Sequence, residues 1–164
     1  MTRLSLFRNE LENEAVATKK MLAAVPDDQY DWKPHPKSMS IRQLTTHIAE
    51  LPSWIGMILN TTELDFATMD YKPTPISSTA QLGEVFERNL TDGLSQLTNG
   101  KEDTLDEPWT LRNAEQVYSV EPRATVIRSS VSQIIHHRAQ LGVFLRLLDV
   151  PIPGTYGPSA DETF

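Results

Sequence analysis

The chain has 164 residues, 39% of them hydrophobic, and a formal net charge of −7. That length suits a single domain with a real core, expected over 1–164. The absence of cysteine excludes disulfides, zinc–thiolate sites and a cysteine nucleophile, and the scattered basic residues give nucleic acid no positive face to bind. No apolar run approaches the length that spans a bilayer, and no charged-then-apolar segment opens the sequence. A cytoplasmic protein with neither nucleic-acid nor membrane partners is expected.

The first predicted helix covers 2–25. Leu4, Phe7, Leu11, Ala15, Leu22 and Val25 form its apolar stripe, and Thr18 fills one turn. Pro26-Asp27-Asp28 ends it. The run Trp32 to Lys37 holds two prolines and reads as a loop, with His35 solvated on it. Ser40 with Gln43 is a capping-box pattern that starts a second helix over 40–59. Leu44, His47, Ile48, Leu51, Trp54, Ile55 and Ile58 carry its apolar side. Pro52 cannot donate to the Ile48 carbonyl and should bend this helix close to His47.

Residues 60–77, with Pro73 and Pro75, read as a connection and not an element. Ser78 with Gln81 is a second capping box, and Leu82, Val85, Phe86, Leu90, Leu94 and Leu97 carry a third helix over 79–98. Asn99-Gly100 stops it. Residues 101–121 are mixed; Val117 to Val120 gives a weak hairpin signal and no convincing sheet. Pro122 suits the first position of a fourth helix over 122–148. The tail from Pro151 to Pro158 is too rich in proline and glycine for helix. The expected fold is all-α: a four-helix bundle with long connections and an irregular C-terminal tail. Those connections allow neighbours in space that are not neighbours in sequence.

Half of the four histidines stand side by side at His136 and His137. His137 shares a helix side with Ile134 and Leu141 and is one turn from Gln133. His47 lies between Leu44 and Leu51 in the same manner. Two inward imidazoles on separate helices are how bundles build metal sites; two core histidines bonded to carbonyls would produce the same pattern. Glu50, one turn beyond His47, fits a partner to a metal ligand, a general base or a boundary glutamate facing solvent. Trp54 fits a pocket wall or a core residue. There is no His-Glu-x-x-His, no paired Glu-x-x-His of a di-iron bundle, no glycine-rich phosphate loop, and no acid placed to orient a histidine beside Ser132.

Asp31-Trp32-Lys33-Pro34-His35-Pro36-Lys37-Ser38-Met39-Ser40, followed by Leu44-Thr45-Thr46-His47-Ile48-Ala49-Glu50, resembles the second-helix region of the DinB-like four-helix bundles. His136-His137-Arg138-Ala139-Gln140-Leu141 resembles their His-His-Arg-Gly-Gln-Leu signature, and Tyr156 to Glu162 resembles the tail of one branch. The resemblance implies a divalent metal, zinc or nickel first, held by three side chains. One matches His47 and one His137. The third falls on Gln133, where the family has histidine. An amide oxygen is a poorer donor than imidazole for these ions, so affinity should fall. His136 matches a histidine next to the ligand. Arg138 and Gln140 belong to the signature, with expected roles in ion pairing or hydrogen bonding between helices.

Better-understood relatives activate a low-molecular-weight thiol such as bacillithiol or mycothiol. The resemblance therefore implies a metal-dependent thiol S-transferase, or a hydrolase at the same open position, acting on a small molecule, and a homodimer. The alternative is a non-catalytic bundle with a degenerate metal site, binding a small ligand or acting through its dimer surface.

Overall fold

Five α-helices and three short strands make up the regular structure of the computed structural model, which describes residues 1–163. Position 164, the end of the expected domain, lies outside the described residues. The helices are α1 (Arg3–Ala23), α2 (Ile41–Glu50), α3 (Trp54–Asn60), α4 (Thr79–Asn99) and α5 (Arg123–Leu147). The strands are β1 (Glu63–Asp65), β2 (Pro108–Asn113) and β3 (Gln116–Pro122). Among the described residues no helix is long and apolar enough to cross a membrane.

The helices form the expected four-cornered bundle. α1 packs on α4 and α5, and the α2–α3 pair packs on the same two helices. The corners therefore run α1, α4, α2–α3, α5, so that α1 neighbours α4, and α2 neighbours α5, across intervening sequence. The core draws on all of them, with Leu11, Leu44, Ile48, Phe86, Ile134 and Leu141 fully or nearly fully buried. This arrangement makes α2 and α5 neighbours, which brings their histidines to one seam.

Pro52 breaks the second helix instead of only bending it. α2 stops at Glu50, Leu51–Ser53 forms a 3-10 turn, and α3 starts at Trp54. At the end of α2 the Ala49 carbonyl accepts a hydrogen bond from Asn89 Nδ2 on α4 at 2.8 Å. The turn sits hard on α4. A Cβ added at Gly93 would stand 2.6 Å from the Pro52 carbonyl oxygen, so only glycine fits this contact.

The caps follow the sequence with one correction. The Ser40 box is complete: its hydroxyl accepts from Gln43 N, and Gln43 Oε1 accepts from Ser40 N. At the second box Ser78 caps Gln81 N, but Gln81 Oε1 takes the N–H and hydroxyl of Ser77 instead. Pro122 is the last residue of β3, and α5 begins one residue later at Arg123.

The sheet is the main departure from the sequence reading. β1 lies parallel to β2, and β2 is antiparallel to β3 with a bulge between Leu111 and Arg112. Asp65 accounts for this unexpected element. Its carboxylate accepts from the backbone of Ala114 and Ala67, each at 2.9 Å, and from Arg112 Nε at 3.1 Å. Those bonds, the two backbone ones first, hold its pKa below the ordinary aspartate value. One side chain thereby ties the hairpin turn to the 65–69 segment, and Phe66 stands with Trp54 of α3 in one cleft wall.

Candidate metal centre

His47 projects from α2 and both Gln133 and His137 from α5. All three are half-buried, at the edge of the bundle and not in its centre. The His47 and His137 rings meet edge to face, with centroids 4.8 Å apart and planes at 75°. His47 Nε2 faces Gln133 Oε1 at 3.3 Å. The three side chains singled out in the sequence therefore lie together at the α2–α5 seam.

The donor set fits a divalent ion in one specific respect. Two donors bound at about 2.0–2.1 Å to a tetrahedral ion stand about 3.3–3.4 Å apart. The His47–Gln133 pair already has that separation, 3.3 Å, and it is long for a hydrogen bond between two neutral groups. Two imidazoles and one amide oxygen would leave a fourth position open, as catalytic sites require. Among the described residues no three His, Cys, Asp or Glu side chains converge on one point, so any such site depends on Gln133.

His137 is prepared as a ligand by its neighbour. Its Nδ1 lies 2.8 Å from Gln140 Oε1. With that oxygen accepting, Nδ1 carries the proton and Nε2 keeps its lone pair free. Gln140 thus acts within α5, whereas the sequence suggested a contact between helices. Burial pushes the His137 pKa below the ordinary histidine value, and the charges of His47 and His136 push the same way against the Gln140 bond. This shift favours the neutral ring, the state a metal ligand needs. His136 is exposed, its ring centroid 4.9 Å from that of His137.

Arg138 does act between helices. It is buried, its Nη2 lies 2.8 Å from Glu14 Oε2, and its Nη1 donates to the Glu14 carbonyl and to Thr18 Oγ1. These contacts to α1 fix the rotation of α5, which sets where Gln133 and His137 face.

Glu50 does not face solvent. It is 9% exposed, and its carboxylate is saturated by the 71–74 segment. Tyr71 donates its hydroxyl at 2.5 Å, and Thr74 donates its N–H at 2.9 Å and its hydroxyl at 2.7 Å. Partial burial and then the Glu50 bond push the Tyr71 pKa up to about 12. Glu50 therefore holds the 71–74 segment beside the site. Sequence reasoning missed Phe66, Met69, Tyr71 and Thr74. They come from the prolyl connection, and nothing local announces a partner twenty-odd residues away.

Two clefts open beside His47. One, of about 480 Å³, is walled by Trp54, Phe66, Met69 and Tyr71. The other, of about 800 Å³, is bordered by Arg42, Gln43, Thr46 and Gln81. Trp54 is a pocket wall, edge to face with His47 at 6.1 Å between centroids. His35 is exposed on its loop, where its Nδ1 accepts from Lys37 N.

Comparison with known proteins agrees with this architecture. The uncharacterized protein YrdA of Bacillus subtilis is 25% identical over 165 residues, covering 97% of this chain and 91% of YrdA. A DinB-like protein from Bacillus subtilis superposes with a TM-score of 0.68 at 17% identity, covering 97% of this chain and 99% of its own. The mycothiol-dependent maleylpyruvate isomerase shares the fold more distantly, with a TM-score of 0.58 at 12% identity over 87% of this chain and 63% of that one. Residues 1–163 match the sequence model of the DinB family, and the chain belongs to that family.

Proposed function

We propose that the chain holds a divalent ion, zinc or nickel, between His47, Gln133 and His137, and uses it to transfer a low-molecular-weight thiol or to hydrolyse a small substrate. The observation that carries this reading is the His47–Gln133 separation of 3.3 Å, with the His137 ring closing the same point. The shared fold with an isomerase that is mycothiol-dependent by name supports the thiol class. A bound divalent ion would lower a thiol's pKa and supply thiolate at neutral pH.

The chain's own residues have distinct parts in this scheme. Gln140 orients His137 and leaves its Nε2 free. Arg138 sets the rotation of α5. Glu50, through Tyr71 and Thr74, holds the loop that separates the two clefts. A homodimer belongs to the same proposal, because Val16 on α1 and Val143 and Leu147 on α5 are exposed apolar side chains that pairing would cover.

One observation favours a second reading, a non-catalytic bundle. His47 and Gln133 face each other closely enough to form a weak hydrogen bond with no ion present. Metal analysis of untagged protein separates the two. A stoichiometric ion supports the first, and clean apo-protein with an intact fold supports the second.

A further inference from the structure

We propose that the cleft walled by Trp54, Phe66, Met69 and Tyr71 is a binding subsite for an uncharged, largely aromatic molecule, seated with one end against His47. The proposal rests on the reading of His47 as part of the reacting centre, and it names the class of the second substrate there.

The walls give the first argument. Three aromatic rings and a thioether surround the opening, and such side chains supply large contact area at low entropic cost. Phe66 and Tyr71 are 46% and 49% exposed. Apolar rings held that open beside a functional seam mark a binding surface more often than a packing remnant. The surface also continues outward, because Phe66 lies against Tyr118 of β3, with ring centroids 6.4 Å apart.

Charge gives the second argument. Among the described residues no lysine or arginine lines this cleft. Its one carboxylate, Glu50, already accepts three hydrogen bonds from Tyr71 and Thr74. A charged ligand would be desolvated there with nothing to pair it, so the cleft selects against ions. The neighbouring cleft differs in carrying a cation, Arg42, beside Thr46, although Met39, Pro73, Pro75 and Ile76 line it too. His47 lines both clefts. A thiol and an uncharged acceptor can therefore reach the same imidazole from opposite sides of Tyr71.

The test uses N-phenyl-1-naphthylamine, a neutral aromatic probe whose emission rises in apolar surroundings. It is titrated into the untagged full chain, with and without zinc. The expected result is saturable binding that weakens about tenfold or more in Trp54→Ala and in Phe66→Ser, the loss that removing one aromatic wall entails. Phe66 is exposed enough that its variant should fold, and circular dichroism checks this. Ile152→Ser, in the cleft under the C-terminal tail, should bind normally. Absent binding in the wild type overturns the proposal. So does binding retained in Phe66→Ser, or binding lost only in Ile152→Ser, which would put the probe under the C-terminal tail. The two readings fail separately. Zinc that does not bind while Phe66→Ser still abolishes probe binding removes the metal and leaves the subsite standing.

Discussion

The His47 and His137 rings stand edge to face across the seam between α2 and α5, with centroids 4.8 Å apart. Neither helix is adjacent to the other in sequence, and the contact exists because α5 returns to the corner beside α2. Gln133 sits one turn earlier on α5, with its amide oxygen 3.3 Å from His47 Nε2. A histidine at position 133 should complete a three-imidazole site.

Gln133→His is accordingly expected to tighten zinc and nickel binding, since nitrogen suits these borderline ions better than an amide oxygen. Following the melting temperature against added zinc checks this: the variant should show the larger metal-dependent rise. An unchanged or smaller rise, with lower metal-free stability, would mean that the ring packs in the seam without facing the ligand point.

The metal-free protein should lose stability through His137 as pH falls below the ordinary histidine value of about 6.5. Burial lowers this group's pKa in the folded state, so the native protein binds fewer protons than the unfolded chain in the window below the ordinary value of about 6.5. Its stability is then complete above about 6.5 and is lost as pH falls through the lowered folded value. His137→Gln removes the titrating group and should flatten the pH dependence of the melting temperature. Parallel profiles for wild type and variant would contradict the assignment.

Glu50→Ala removes the acceptor of three hydrogen bonds from Tyr71 and Thr74. A loss of about 1–3 kcal/mol is expected, together with faster hydrogen exchange at the Thr74 amide. Urea denaturation and exchange measurements read these separately. A stability loss without faster exchange would show that Glu50 supports the core and not the loop.

Gly93→Ala puts a methyl 2.6 Å from the Pro52 carbonyl oxygen. The 3-10 turn between α2 and α3 must then lift from α4, at a cost of about 1–3 kcal/mol. Gly83, which has open space around it, is the control, and Gly83→Ala should be neutral or slightly stabilising. Equal effects at the two positions in chemical denaturation would count against the close contact.

The sequence carried the helices because each long one has a 3.6-residue apolar stripe, with serine caps at α2 and α4 and a proline before α5, and these are local signals. It carried the convergence of His47, Gln133 and His137 through residue types at helical spacing and the likeness to DinB-like bundles. It did not carry the sheet. β1 is three residues long, and its order depends on Asp65 reaching the Ala114 backbone, 49 positions away in sequence. The bonds of Glu50 to Tyr71 and Thr74 were hidden for the same reason. Periodicity reports which side of an element is buried; it does not report which distant loop a single carboxylate will capture.

The central claim is that His47, Gln133 and His137 hold one ion, and elemental analysis of untagged protein purified without chelator tests it most directly. The account predicts about one zinc or nickel ion per chain, lost in His47→Ala and in His137→Ala while circular dichroism shows the helices intact. A metal-free wild type that keeps its fold and takes up no ion when zinc or nickel is added would contradict it.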